Sequence, residues 1–166
     1  MPLQARMRTK SNKPAPAGEP WLVALRMLGR RDYSVAELSR RLQEKGVDRD
    51  RVREVVDRCL NCGYLDDARY AAQRARGMMR EGRAVGPRIL ADLRHKGIDE
   101  ATAEAALEQA RREHSDTDVL ARILERRFPD FDYAGASERE RRRVVHFLQR
   151  KGFPLNCIFE KLTEKG

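Results

Sequence analysis

The string Leu-x-x-Lys-Gly-apolar occurs three times in this chain, at Leu42 to Val47, Leu93 to Ile98 and Leu148 to Phe153. Its glycines, Gly46, Gly97 and Gly152, are 51 and 55 residues apart. An aliphatic residue stands eight positions before each glycine (Leu38, Ile89, Val144), and apolar residues stand six after (Val52, Ala103, Ile158) and ten after (Val56, Leu107, Leu162). Residues four apart lie on one helical face, so the positions before the glycine trace an amphipathic helix. Lys then Gly ends it, because glycine accepts the left-handed backbone of a helix stop and a cation suits the last turn. A second helix follows. Each copy is therefore helix, glycine stop, helix.

Start signals fall where this reading needs them. Ser34 with Glu37, and Ser137 with Glu140, have the spacing of capping boxes, and Pro87 after Gly86 suits a first helical turn. Asp48 and Asp99 suit N-caps. A further helix precedes each pair, at Trp21–Arg30, Asp66–Glu81 and Asp116–Phe128. The expectation is an all-α chain of nine helices in three tandem three-helix modules, 20–65, 66–115 and 116–166, after a basic, disordered tail at 1–19. One module of about 50 residues makes only a small core, so neighbours are expected to stack into an elongated or curved rod.

Composition narrows the function classes. Of 166 residues 37% are charged and only 6% aromatic, with a net charge of +9, which points to a polyanionic partner. The longest apolar run, Trp21 to Leu25, is too short to span a bilayer, and residues 1–20 lack the apolar segment of a signal peptide. Three cysteines do not make a disulfide framework. A soluble, cytoplasmic, monomeric protein without membrane contact is expected.

The positive charge is unevenly placed. Arg69 to Lys96 holds eight Lys/Arg against two Asp/Glu, and Ser137 to Lys151 holds six against two, whereas Ile98 to Leu120 holds two against seven. Between Asp66 and Glu81, Ala68, Ala72, Ala75 and Met79 read as an apolar stripe, with Arg69, Arg76, Arg80 and Arg83 on a basic stripe beside it. Arg88, Arg94 and Lys96 extend that basic set. Farther on, Arg139, Arg142, Arg143, His146 and Arg150 share a face opposite Val144 and Leu148. Both stripes are candidates for binding phosphates or an acidic protein groove. The bland alternative is solvated arginine, or Arg–Glu pairing along a helix. It weighs less for the second module, where few acids are near in sequence, and more for the third, where Glu138 and Glu140 are. The acidic stretch 98–120 is free to pack against a neighbouring basic face. Trp21, Phe147, Phe153 and Phe159 read as core rather than as stacking platforms for bases.

Catalytic motifs are missing. Cys59 and Cys62 form an isolated C-x-x-C with no second pair and no histidine pair, and Cys59 shares a stripe with Val52, Val55 and Val56, so a buried thiol is preferred to a metal ligand. His95, His114 and His146 are scattered. No P-loop or nucleophile motif occurs. No catalytic residue, metal or cofactor is expected.

Between the first two modules stands Gly63-Tyr64-Leu65-Asp66-Asp67, followed by Arg69, Tyr70 and Ala71, then Gly86-Pro87-Arg88-Ile89, and Leu93 to Ile98 with its Lys96-Gly97. This succession, with the tandem modules, resembles the RecX family over residues 20–165. The resemblance implies a non-catalytic modulator, mostly an inhibitor, of the RecA recombinase. Such a protein lies in the groove of the RecA–DNA filament and alters its ATPase, strand-exchange and co-protease activities in recombination, repair and the SOS response, with direct contact to single- or double-stranded DNA possible. Gly63, Tyr64, Leu65, Asp66, Asp67, Gly86, Lys96 and Gly97 are read first as structural, with Asp66 and Asp67 capping a helix. The rival readings are a helix-turn-helix-like DNA-binding repressor and a scaffold adaptor whose charge is incidental.

Overall fold

The computed structural model describes residues 19–164, which form nine helices and no strand. The helices are α1 (Glu19–Leu28), α2 (Val35–Glu44), α3 (Arg49–Asn61), α4 (Asp67–Arg80), α5 (Gly86–His95), α6 (Glu100–Glu113), α7 (Asp116–Arg127), α8 (Glu138–Lys151) and α9 (Leu155–Glu164). The expected basic tail lies outside the described residues, except that Glu19 opens α1.

Local chemistry places the helix ends. Ser34, Asp48, Asp66, Asp99, Ser115 and Ser137 each accept a hydrogen bond from the backbone N–H three residues on, which satisfies one of the unpaired donors of a first turn. At Ser137 the Glu140 carboxylate also returns to the cap, completing the box. Gly46, Gly97 and Gly152 have φ of 87°, 80° and 105°. After each, the next N–H donates back to the leucine of the repeat: Val47 to Leu42 at 3.1 Å, Ile98 to Leu93 at 3.1 Å, Phe153 to Leu148 at 3.3 Å. These bonds use carbonyls that the helix itself leaves unpaired, and they fold the apolar residue after the glycine onto the finished helix.

The repeat is also the core. Leu38, Leu42, Val47, Val52 and Val56 are buried in the first copy, Ile89, Leu93, Ile98, Ala103 and Leu107 in the second, and Val144, Leu148, Phe153, Ile158 and Leu162 in the third. Of the described residues, 19–65 form one compact unit and 66–164 form another. In the first, Ala24 of α1 and Cys59 of α3 join the repeat side chains in the core. In the second, α4 to α9 share one core, so the second and third triplets pack together. They touch where the Val85 N–H donates to the Lys151 carbonyl at 2.8 Å.

Two core expectations need correction. The buried face of α4 is Tyr70, Ala71, Ala75, Met78 and Met79, while Ala68 is exposed and Ala72 half-buried. The cause is α6: its Ala103, Ala106, Leu107 and Ala110 are buried, and small residues on both helices let the two pack closely. Ala68 and Ala72 are left lining an open cleft with Ala101 and Ala105. Phe153 is buried, Trp21 and Phe147 are half-buried, but Phe159 is 39% exposed. It stands one residue past the buried Ile158, off the α9 stripe, and its ring meets Tyr133 edge-on at 6.2 Å.

Candidate basic interaction surface

The residues that singled out the sequence serve the backbone first. Gly63 ends α3 with φ 71°, and the Tyr64 N–H donates to the Cys59 carbonyl at 2.9 Å. Leu65 is buried. Asp66 caps α4, accepting from the Arg69 N–H at 2.9 Å, and Asp67 is the first residue of that helix. Tyr64 is 52% exposed and lies 6.2 Å from the Trp21 ring, over which Arg58 sits at 4.0 Å. Gly86 has φ 47° in the first turn of α5. Cys59 is fully buried, and desolvation pushes its thiol pKa up, the opposite of activation. Among the described residues no cluster of three His, Cys, Asp or Glu could hold a metal ion.

In the basic stripe of α4, Arg76 is matched by a carboxylate that the sequence keeps far away, and Arg80 and Arg83 by one that stands between them in sequence. Arg76 meets Glu113 of α6 at 2.6 Å across 37 residues of sequence. Glu81 sits between Arg83, at 2.8 Å, and Arg80, at 3.7 Å. Arg74 forms a two-bond pair with Asp92 of α5, and Arg94 forms another with Glu100 at 2.6 and 2.8 Å. The hydrogen bond from Arg74 holds the Asp92 carboxyl below its ordinary range. The premise that few acids stand near this stripe therefore fails at Arg76, to which α6 brings Glu113, and at Arg80 and Arg83, which share Glu81. Arg69 and Arg88 are exposed, and Lys96 is half-buried at the end of α5.

On α8, Arg142 pairs with Glu138. Arg139, Arg143 and Arg150 are exposed and, among the described residues, no carboxylate stands within 4 Å of them.

A further group of positive charges includes residues that sequence reasoning missed. An open cleft of about 370 Å³ lies between the end of α4 and the face of α7, lined by Arg80, Glu81, Arg122 and Arg126 among others. The Arg122 guanidinium donates to the Met79 carbonyl at 3.4 Å, which fixes it at the cleft wall. Lys151, at the end of α8, lies beside it. Burial lowers the Lys151 pKa, and the charges of Arg127, Arg126 and Arg83 lower it further. Lys151 and Arg127 both lie over the Phe147 ring, at 5.4 and 5.9 Å. Counting charge over 98–120 and 137–151 steps past Arg122, Arg126 and Arg127. The signal that could have found Arg126 and Arg127 is the run of basic residues in the last turn of α7, set against that of α8; nothing local marks Arg122.

Comparison with known proteins agrees with the helical triplets. Residues 21–59 match the family pattern described as RecX, first three-helix domain, and residues 66–107 match RecX, second three-helix domain. The chain is similar to the regulatory protein RecX of Syntrophotalea carbinolica, 43% identical over 91% of this chain and 99% of that protein. It is 35% identical to the one of Trichlorobacter lovleyi, over 95% and 99%. Among solved structures, a regulatory protein RecX shares the fold with a TM-score of 0.72 and 23% identity over 89% of this chain and 71% of that one. RecX from Lactobacillus salivarius shares it at 0.66 and 22%, over 89% and 96%. With a repeat that sets the helices, motif glycines that stop them, and relatives matched along nearly their whole length, this chain belongs to the RecX family.

Proposed function

We propose that the protein is a cytoplasmic, non-catalytic regulator of the RecA recombinase, acting as a monomer that binds the groove of the RecA–DNA filament and slows its ATP turnover. Strand exchange and co-protease activity fall with it. The observation that carries this reading is membership of a family whose relatives are named regulatory proteins, matched over 91% of this chain. The motif residues Gly63, Leu65 and Asp66 serve helix ends and packing, which leaves partner contact to the exposed faces of the helices. Contact with the filament is assigned to exposed basic side chains, chiefly Arg139, Arg143 and Arg150 of α8 with Arg88, because exposed arginines with no carboxylate within 4 Å keep their charge available for a partner.

The test is RecA ATPase and filament sedimentation on single-stranded DNA with increasing full-length protein. Co-sedimentation with falling ATP turnover is expected. No binding and unchanged turnover at saturation would end this reading. Tight, sequence-selective binding to duplex DNA without RecA would favour the repressor alternative.

A further inference from the structure

The first unit has an open cleft of about 180 Å³ between α1 and the end of α2, lined by Val23, Arg26, Met27, Arg30 and Lys45. Arg26 stands in the last turn of α1 and Lys45 is the C-cap of α2, where positive charge offsets the negative end of a helix dipole. The Arg26 Nε also donates to the Leu22 carbonyl at 3.3 Å. Arg30 follows in the turn after α1, with its backbone N–H donating to the Met27 carbonyl at 3.1 Å. Val23 and Met27 are one turn apart on α1, half-buried against the core of this unit. The dipoles account for where the cations stand, but no carboxylate answers them. Among the described residues none lines the cleft or comes within 4 Å of Arg26, Arg30 or Lys45. Elsewhere in the unit cations are answered: Arg31 by Glu37 at 3.5 Å, and Arg41 by Glu44 at 2.9 Å. Glu44, next to Lys45 in sequence, is thus already engaged.

Three unanswered cations around two apolar side chains suit a ligand that is acidic at its edges and apolar in its middle. A nucleic-acid backbone supplies the charge but nothing aliphatic to cover Val23 and Met27. No described aromatic ring lines the cleft, so a base has no platform on which to stack. A protein segment supplies both parts. Met27 is unbranched and carries a polarizable sulfur, so it adapts its shape to a side chain laid against it. Arg26 and Arg30 are four residues apart on one wall and Lys45 stands at the end of the other helix, so carboxylates on both sides of an apolar anchor find a cation. The arginine forks accept a carboxylate through two bonds at once.

We propose that this cleft is a docking site for an acidic, amphipathic segment of a partner protein, whose bulky apolar side chain seats on Val23 and Met27 between carboxylates held by Arg26, Arg30 and Lys45. None of these residues belongs to the set assigned to the filament, and docking here needs neither RecA nor DNA. The failure of one reading therefore leaves the other standing.

The experiment follows the full chain by NMR, isotope-labelled at its methionine methyl groups, as a synthetic peptide of Asp and Glu with a central Leu-Phe pair is added. The Met27 resonance, assigned through Met27→Leu, is expected to shift on titration. Those of Met78 and Met79, buried in the other unit, are expected to stay fixed. The double variant Arg26→Glu with Lys45→Glu is expected to bind the peptide at least about tenfold more weakly, because two attractions become repulsions. Both positions are exposed, so the change leaves the core untouched. Exchanging the Leu-Phe pair of the peptide for two serines is expected to weaken binding roughly tenfold, the loss of a seated apolar anchor. A Met27 resonance that stays in place at the highest peptide concentration would overturn the proposal even if the double variant folded poorly. So would wild-type affinity in a folded double variant, or a serine peptide that binds as tightly as the Leu-Phe one. An oligothymidylate of equal charge that shifts Met27 as strongly would overturn it too, by reassigning the cleft to phosphodiesters.

Discussion

Gly63 and Gly152 end their helices by the same means. Each has a positive φ, 71° and 105°, and each is followed by an N–H that reaches five residues back. Their surroundings differ. A Cβ on Gly63 would meet nothing within 4 Å, whereas one on Gly152 would stand 2.2 Å from the Val85 carbonyl oxygen and 3.0 Å from the Arg88 Cβ. The first glycine is needed for its dihedral alone. The second is needed for its dihedral and for the close approach of α8 to the start of α5, where the second and third triplets meet. One sequence signal therefore covers two physical requirements, one local and one tertiary.

The sharpest test of that difference is Gly152→Ala. The methyl group collides with backbone rather than with a flexible side chain, so a loss of about 3 kcal/mol or more is expected in urea unfolding of the second unit. Gly63→Ala should cost only the left-handed penalty, about 1 kcal/mol. Equal losses at the two sites would break the comparison, and a gap of several-fold would sharpen it.

The pair of Arg74 with Asp92 extends the comparison from backbone to charge, because it links α4 to α5 near the same junction. The Asp92 pKa is depressed in the folded state, so its contribution is present above the ordinary carboxylate value of 3.8 and is lost as pH falls through the lower folded value. Asp92→Asn should lower stability by about 1 kcal/mol at pH 7. The gap from wild type should close on acidification below about pH 4, as followed by thermal melts. A gap that stays constant to low pH would show that the carboxylate's charge is not what matters.

The smallest effect is expected at Lys151, and with the opposite sign. Its folded pKa lies below the ordinary lysine value of 10.5, so the folded chain is penalised for carrying that charge at pH 7. Lys151→Gln should raise stability by a few tenths of a kcal/mol, about 0.5 at most, with the gain fading as pH approaches 10. Stability lost at pH 7 would argue that the α8 terminus is built for packing and not for a partner.

The sequence was most informative where its rules are local. Ser34, Asp48, Asp99 and Ser137 mark helix starts because their side chains reach only three residues ahead. The repeat marks buried positions because each copy must solve the same packing problem, and Leu38, Ile89 and Val144 are all fully buried. Alanine defeated the same approach on α4. Ala68 and Ala71 are equally apolar, and only the position of α6 decides that Ala71 is covered and Ala68 is not.

Charge was the least legible property. Coulomb energy depends on distance in space, and a helix face read in isolation carries no information about its neighbour. Arg76 looks available until α6 brings Glu113 to it across 37 residues, while Arg126 and Arg127 look unremarkable until Lys151 and Arg83 are set beside them. The amino-acid sequence alone thus determined the helical class, the three-fold repeat, the stops and caps, and the kinship those residues display, because all of these rest on short-range backbone chemistry and on periodicity. Only the tertiary structure decided which arginines are neutralised and which remain crowded together, because that choice is made between helices.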